Sequence, residues 1–171
     1  MKNHWIAVFV IAAVATVITA RAETAPSLEG VWQVTEETFQ GPNTSNNETP
    51  QPSLLIFTKK HYSFIRVVGS KPRALFQALI PTNEEKMRAF DSFTASSGTY
   101  ELNGTILIMR PVVAKYPNFM SGGWEKYEVR IEGTDLWLMA KSADIMMKMG
   151  DRLAPLPGPE TQSRRKLIRL E

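Results

Sequence analysis

What most constrains this chain is a succession of short β-type runs joined by short links, with a single stretch of helical periodicity among them. Residues 30–38, GVWQVTEET, alternate, with Trp32, Val34 and Glu36 on one face. Residues 53–58, SLLIFT, and 61–68, HYSFIRVV, are β-rich runs around a tight Lys59-Lys60 turn. Two hairpins follow, over 97–103 with 104–112 and over 124–132 with 134–140, and 164–170 reads as a last strand. Helical content is too low for an α/β fold. Eight antiparallel strands in up-and-down order are enough for a sheet to close on itself, which removes its edges. The expected fold is a mainly β, eight-stranded up-and-down barrel with one inserted amphipathic helix. Such a barrel has an interior that side chains fill or that holds one small ligand.

The first hairpin, TYELNGTILIM at 99–109, carries the most detail. Asn103-Gly104 is the dipeptide that a two-residue type I′ turn prefers. That turn pairs Leu102 with Thr105 and Tyr100 with Leu107. Tyr100, Leu102, Leu107 and Met109 then face inward, while Ile106 and Ile108 make the outer face apolar as well. Residues 83–95, NEEKMRAFDSFTA, show a helix start at Asn83, acids in the first turn and apolar Met87, Phe90 and Phe93 at helical spacing. This helix is expected to lie outside the barrel, over Ile106 and Ile108. A homodimer interface over the same stripe is the rival.

The N-terminus bounds the setting. A short segment with Lys2 precedes an apolar run from Trp5 to Ala20, and Ala20-Arg21-Ala22 offers small residues at the cleavage-recognition positions. This reads as a secretory signal peptide over 1–22, with the domain at 23–171 and a secreted or periplasmic location. A single membrane anchor is the competing reading of the same run. Removing Lys2 and Arg21 leaves 18 basic against 17 acidic residues, so the charge balance argues for neither nucleic acid nor a membrane surface as partner. The chain has no cysteine, which excludes disulfides, thiolate-bound zinc and thiol catalysis.

Motifs for enzymatic chemistry are sparse. There is no H-E-x-x-H, Walker loop or dinucleotide glycine motif, and no cofactor is expected. The one histidine past the leader, His61, sits beside a turn and reads as a surface residue. Glu36-Glu37 and Glu84-Glu85 alternate faces or cap a helix. The stretch DIMMKMG at 144–150 reads as an apolar flap over the barrel mouth, with thioether binding of Cu(I) as the alternative. Tyr62, Phe64 and Arg66 share a strand face whose direction periodicity leaves open. If it points inward, Arg66 needs a ligand carboxylate or an internal partner such as Glu36. Alternation then suggests an interior site formed by Phe57, Phe64, Arg66, Tyr100, Met109 and Tyr127, gated by residues 142–150.

Together GVW at 30–32, SLLIFTKKHYSFIRV, the Phe-rich helix, SGTYELNGTIL, YPNFMSGG and the short last strand resemble the bacterial lipocalin-like domain family. The resemblance covers residues 28–170. It implies a calycin-type barrel that binds a small hydrophobic molecule, and a Trp32 packed against an arginine of the last strand, Arg169 first and Arg165 second. The lack of disulfides and the helix placed before the fourth strand, not after the last, depart from true secreted lipocalins. The expected function is an exported binding protein for a small hydrophobic or amphipathic ligand, a carboxylate among the candidates, acting as a monomer or homodimer. The alternative is a barrel enzyme, an isomerase, cyclase or hydrolase, using interior tyrosine, arginine and carboxylate groups.

Overall fold

The structure, a computed structural model, describes residues 27–171; the leader expected over 1–22 lies outside the described residues. Along the chain come β1 (Gly30–Gln40), β2 (Ser45–Asn47), β3 (Ser53–Phe57), β4 (His61–Val67), α1 (Asn83–Asp91), β5 (Phe93–Asn103) and β6 (Ile106–Ala114). After them come α2 (Pro117–Met120), β7 (Trp124–Glu132), β8 (Asp135–Lys141), β9 (Ile145–Met149), β10 (Arg152–Pro155) and β11 (Gln162–Arg169). β1, β3, β4, β5, β6, β7, β8 and β11 form a closed antiparallel barrel, because β11 pairs with β8 on one side and β1 on the other. These are the eight strands read from the sequence. β2 extends β1, and the β9–β10 hairpin is added to the start of β7. Among the described residues no helix is long and apolar enough to cross a membrane.

Alternation explains the core. Trp32 and Val34, Leu55 and Phe57, Tyr62 and Phe64, Leu107 and Met109, Tyr127 and Val129, Leu136 and Leu138, and Leu167 all point inward and are buried. This settles the direction of β4: Tyr62, Phe64 and Arg66 face the interior, while Ile65 is exposed. Burial of so many large side chains supplies most of the fold's stabilisation, at about 25 cal/mol per Å² of apolar surface.

Three local expectations need correction. In the first hairpin Asn103 pairs with Ile106 and Tyr100 with Met109, so the loop is Gly104-Thr105. Only Gly104 has positive φ there, whereas a type I′ turn needs it at two positions. The slip of the pairing keeps parity, so the inner face is unchanged, although Leu102 near the tip is exposed. Pro111 does not end the second strand; β6 continues to Ala114 through a bulge, with Gly98 opposite Pro111 and Ser97 opposite Val113. Proline is tolerated because a bulge frees its position from donating to the ladder. Gly98 is required at that bulge, since a Cβ would overlap the Arg110 carbonyl oxygen.

The third correction concerns the helix. α1 is capped by Thr82 rather than Asn83, in a capping box with Glu85. It stops at Asp91 because Phe93 to Ala95 are taken up by β5, paired with Val67 to Ile65. It does not cover Ile106, which is exposed; it packs at the start of β5, where Phe90 meets Tyr116 edge-on at 5.8 Å. Lys115 Nζ lies 4.0 Å from the Phe90 ring centre, a cation–π contact that ties α1 to the end of β6. Met87 stays exposed, so the apolar face of α1 is only partly used. The most exposed apolar side chains are Leu75, Leu79 and Ile80 in the link before α1.

Candidate functional site

The barrel has two unlike ends. At one, Trp32 pairs with Arg169 in the β1–β11 ladder, and the Arg169 guanidinium carbon lies 4.1 Å from the centre of the indole. The guanidinium donates to the carbonyls of Glu29 and, at 2.6 Å, Ser27, while the indole N–H donates to Leu28 at 2.8 Å. Gly30 admits this arrangement: a Cβ there would overlap the Glu171 carbonyl and Arg169. Phe57 and Tyr100 pack edge-on at 4.9 Å nearby, and the Tyr100 hydroxyl donates to Thr58 at 2.8 Å. This end is closed.

Further up, charge enters the interior. The alternation of β1 breaks at a bulge between Val34 and Glu36, which turns Glu37 inward and Glu36 outward. The carboxylate partner of Arg66 is therefore Glu37, not the expected Glu36. Glu37 Oε1 accepts from Arg66 Nη1 and, at 2.6 Å, from Arg165 Nε. The bulge coincides with the place where β1 leaves β3, since their pairing covers only Gly30 to Trp32. Just before it the Val34 N–H donates to Ser53 Oγ, and past it β1 pairs with β2 while the Glu37 side chain bonds Arg66 of β4. Burial alone would raise the Glu37 pKa, but the two arginine charges outweigh it and hold the carboxyl below its ordinary value. Arg66 is lowered by burial and by Arg165; burial also opposes the Arg165 charge, yet Tyr127, Glu37 and Glu125 around it prevail and raise it.

The mouth of the barrel holds a pocket of about 960 Å³. β9 and the loop after β10 form one wall with Ile145, Met147, Met149 and Leu156; Phe39, Tyr116 and Phe119 stand elsewhere around it. The excursion read as a flap is thus a hairpin whose methionines line this space, as the adaptable thioether chain suits. Glu125 is the one ionisable carboxyl in the lining. It precedes Tyr127 and Val129 on the inward face of β7, and it is half-buried, with its accessible part toward the pocket. Burial raises its pKa against the opposing pull of Arg165, Tyr127 and Arg66. The phenols of Tyr62 and Tyr127 are also raised, first by burial, so both remain neutral donors.

The structure divides the residues expected at an interior site. Phe57, Phe64 and Met109 are packed in the core, and Tyr100 stands at the closed end. Arg66 and Tyr127 belong to the charged layer beneath the pocket, and none of the six lines the pocket itself. Glu125 and Glu37 were missed. The signal for Glu125 was available, because extending the Tyr127–Val129–Ile131 alternation by one step puts a carboxylate on an apolar face. Glu37 had no such signal, since a bulge does not follow from period-2 patterning. Compared with known proteins, the chain matches no family model and no curated sequence.

Proposed function

We propose that this is an exported, lipocalin-like binding protein for a small hydrophobic or amphipathic ligand. The supporting observation is the mouth pocket, whose volume lies in the 300–1,000 Å³ range usual for small-molecule sites, with a surface that is mainly apolar and neutral polar groups around its single carboxyl, Glu125. Export rests on the apolar N-terminal run and its small-residue cleavage site. The ligand would bury its apolar part against Met147, Phe119 and Phe39 and set its polar end near Glu125. Native mass spectrometry of the protein from the exported fraction tests this directly. A co-purified small molecule lost in Met147→Lys, a variant that puts a charge into the pocket, supports the reading. Absence of any bound species, with no uptake of apolar fluorescent probes, overturns it.

One observation favours a second reading. Two carboxyls, Glu37 and Glu125, share the interior with their pKa values pushed in opposite directions, the arrangement by which enzymes separate an acid from a base. A barrel isomerase, cyclase or hydrolase would use Glu125 as proton donor at the pocket. Recovery of the captured molecule chemically altered after incubation with wild type, and unaltered with Glu125→Gln, distinguishes this from binding alone.

A further inference from the structure

Charge in the layer under the pocket is unbalanced. Arg66 and Arg165 share one carboxylate, Glu37, so the triad carries a net charge of +1. One nitrogen of each guanidinium is hydrogen-bonded, Arg66 Nη1 and Arg165 Nε, both to the same oxygen. Among the described residues no other side-chain or backbone acceptor takes their remaining N–H groups, and neither arginine is left with a sealed, unpaired nitrogen. These donors therefore keep some access. Glu125 stands between this layer and the pocket.

The groups facing Glu125 come from each neighbouring strand. Arg165 faces it from β11, Arg66 and Tyr62 from β4, and Tyr127 from β7 itself, with Glu37 of β1 behind the arginines. Its ladder partners, Met109 on β6 and Ile145 on β9, are apolar. Lys126 is paired with Asp144, away from this group. A cation in the pocket would meet the +1 triad, and could be balanced only by ionising Glu125. An anion balances the triad directly and accepts a hydrogen bond from the Glu125 acid. Two buried like charges in low dielectric are costly, which decides between these cases.

On the binding reading above, we infer that the pocket selects an amphiphile with a carboxylate head, held by the Glu125 acid group above the Arg66–Arg165 pair, and that the proton on Glu125 controls its affinity. Deprotonating Glu125 would set two carboxylates against each other, so affinity falls as pH rises. The elevated Glu125 pKa extends the binding range upward from the ordinary carboxylate range.

The test uses a dansyl-labelled medium-chain fatty acid, its primary amide and the amine of equal chain length, titrated into wild type and Glu125→Gln from about pH 5, just above the ordinary carboxylate range, to about pH 9. The expected result is that wild type binds the acid at least about ten-fold more tightly than the amine at the low end. Its affinity for the acid then falls by up to about ten-fold per pH unit once Glu125 loses its proton, the limit for one linked proton. Glu125→Gln, an isostere that still donates, binds the acid with a flat profile. Tighter binding of the amine by wild type overturns the inference, and that arm needs no variant. An unchanged pH slope in Glu125→Gln, with its thermal midpoint showing it folded, also overturns it. Failure of all three probes to bind wild type brings down the binding reading itself, a different outcome from binding without charge preference.

Discussion

The two ends of the barrel are built from the same strands and do opposite things. Around Trp32 the interior is apolar, and each polar atom has a local carbonyl or N–H partner. Around Glu125 the same ladders enclose two arginines, two glutamates and two tyrosines beneath a pocket. The difference begins within a few residues of β1. Gly30 to Trp32 pair with β3, Val34 bonds the Ser53 hydroxyl, and past the bulge β1 pairs with the short β2 while Glu37 turns inward to Arg66 and Arg165. Backbone ladders run on at both ends, and what differs is the side chains they turn inward: apolar ones around Trp32, an ion-paired cluster with free donors below the mouth. Buried ion pairs add little stability by themselves, so the mouth end is where stability has been given up.

If this contrast is right, the largest loss should come from the closed end. Trp32→Ala removes a fully buried aromatic and should cost about 3–5 kcal/mol, read as a denaturation midpoint. Probe affinity at a temperature where the variant is folded should change little, since the pocket lies at the far end.

Glu37→Gln is expected to cost about as much, roughly 3–5 kcal/mol, for another reason: it leaves two buried guanidiniums without a counter-charge. Because the folded pKa of Glu37 is lowered, its contribution is present above the unfolded value and lost as pH falls through the folded value. Wild type should therefore lose stability in acid faster than Glu37→Gln. Parallel acid-denaturation curves would remove Glu37 from the account.

A smaller effect, about 1–3 kcal/mol, is expected for Gly98→Ala, where the added methyl must push against the Arg110 backbone at the bulge. A cost below a few tenths of a kcal/mol would mean the bulge yields freely.

The smallest effect sharpens the comparison most, because its sign reverses. Glu125 has a raised folded pKa, so its penalty grows from the unfolded pKa up to the folded pKa and is constant above it. Glu125→Gln should raise the thermal midpoint at pH 7 and leave it nearly unchanged near pH 4. A lower midpoint at pH 7 would show that Glu125 contributes to stability like Glu37.

The fold was legible because alternation reports which side chains can share a core. The eight runs from GVWQVTEET to the final strand were enough to place Trp32, Leu107 and Tyr127 inside. Even the slipped hairpin register kept these faces, since a parity-preserving shift moves no residue across the sheet. The candidate site was less legible. Glu125 lay within reach of the same alternation, but Glu37 was hidden by the bulge, and Arg66 had two directions that periodicity could not separate.

By itself, then, the sequence determined the eight barrel strands, the inner faces of all but β4 and the absence of thiol chemistry, while the short β2, β9 and β10 went unread. Only the tertiary structure decided where β1 leaves β3, which glutamate answers Arg66 and Arg165, and that the pocket sits at the mouth rather than in the packed middle. Those outcomes depend on ladders between residues more than a hundred positions apart, such as Glu37 with Arg165. A local pattern carries no record of which distant strand will lie beside it.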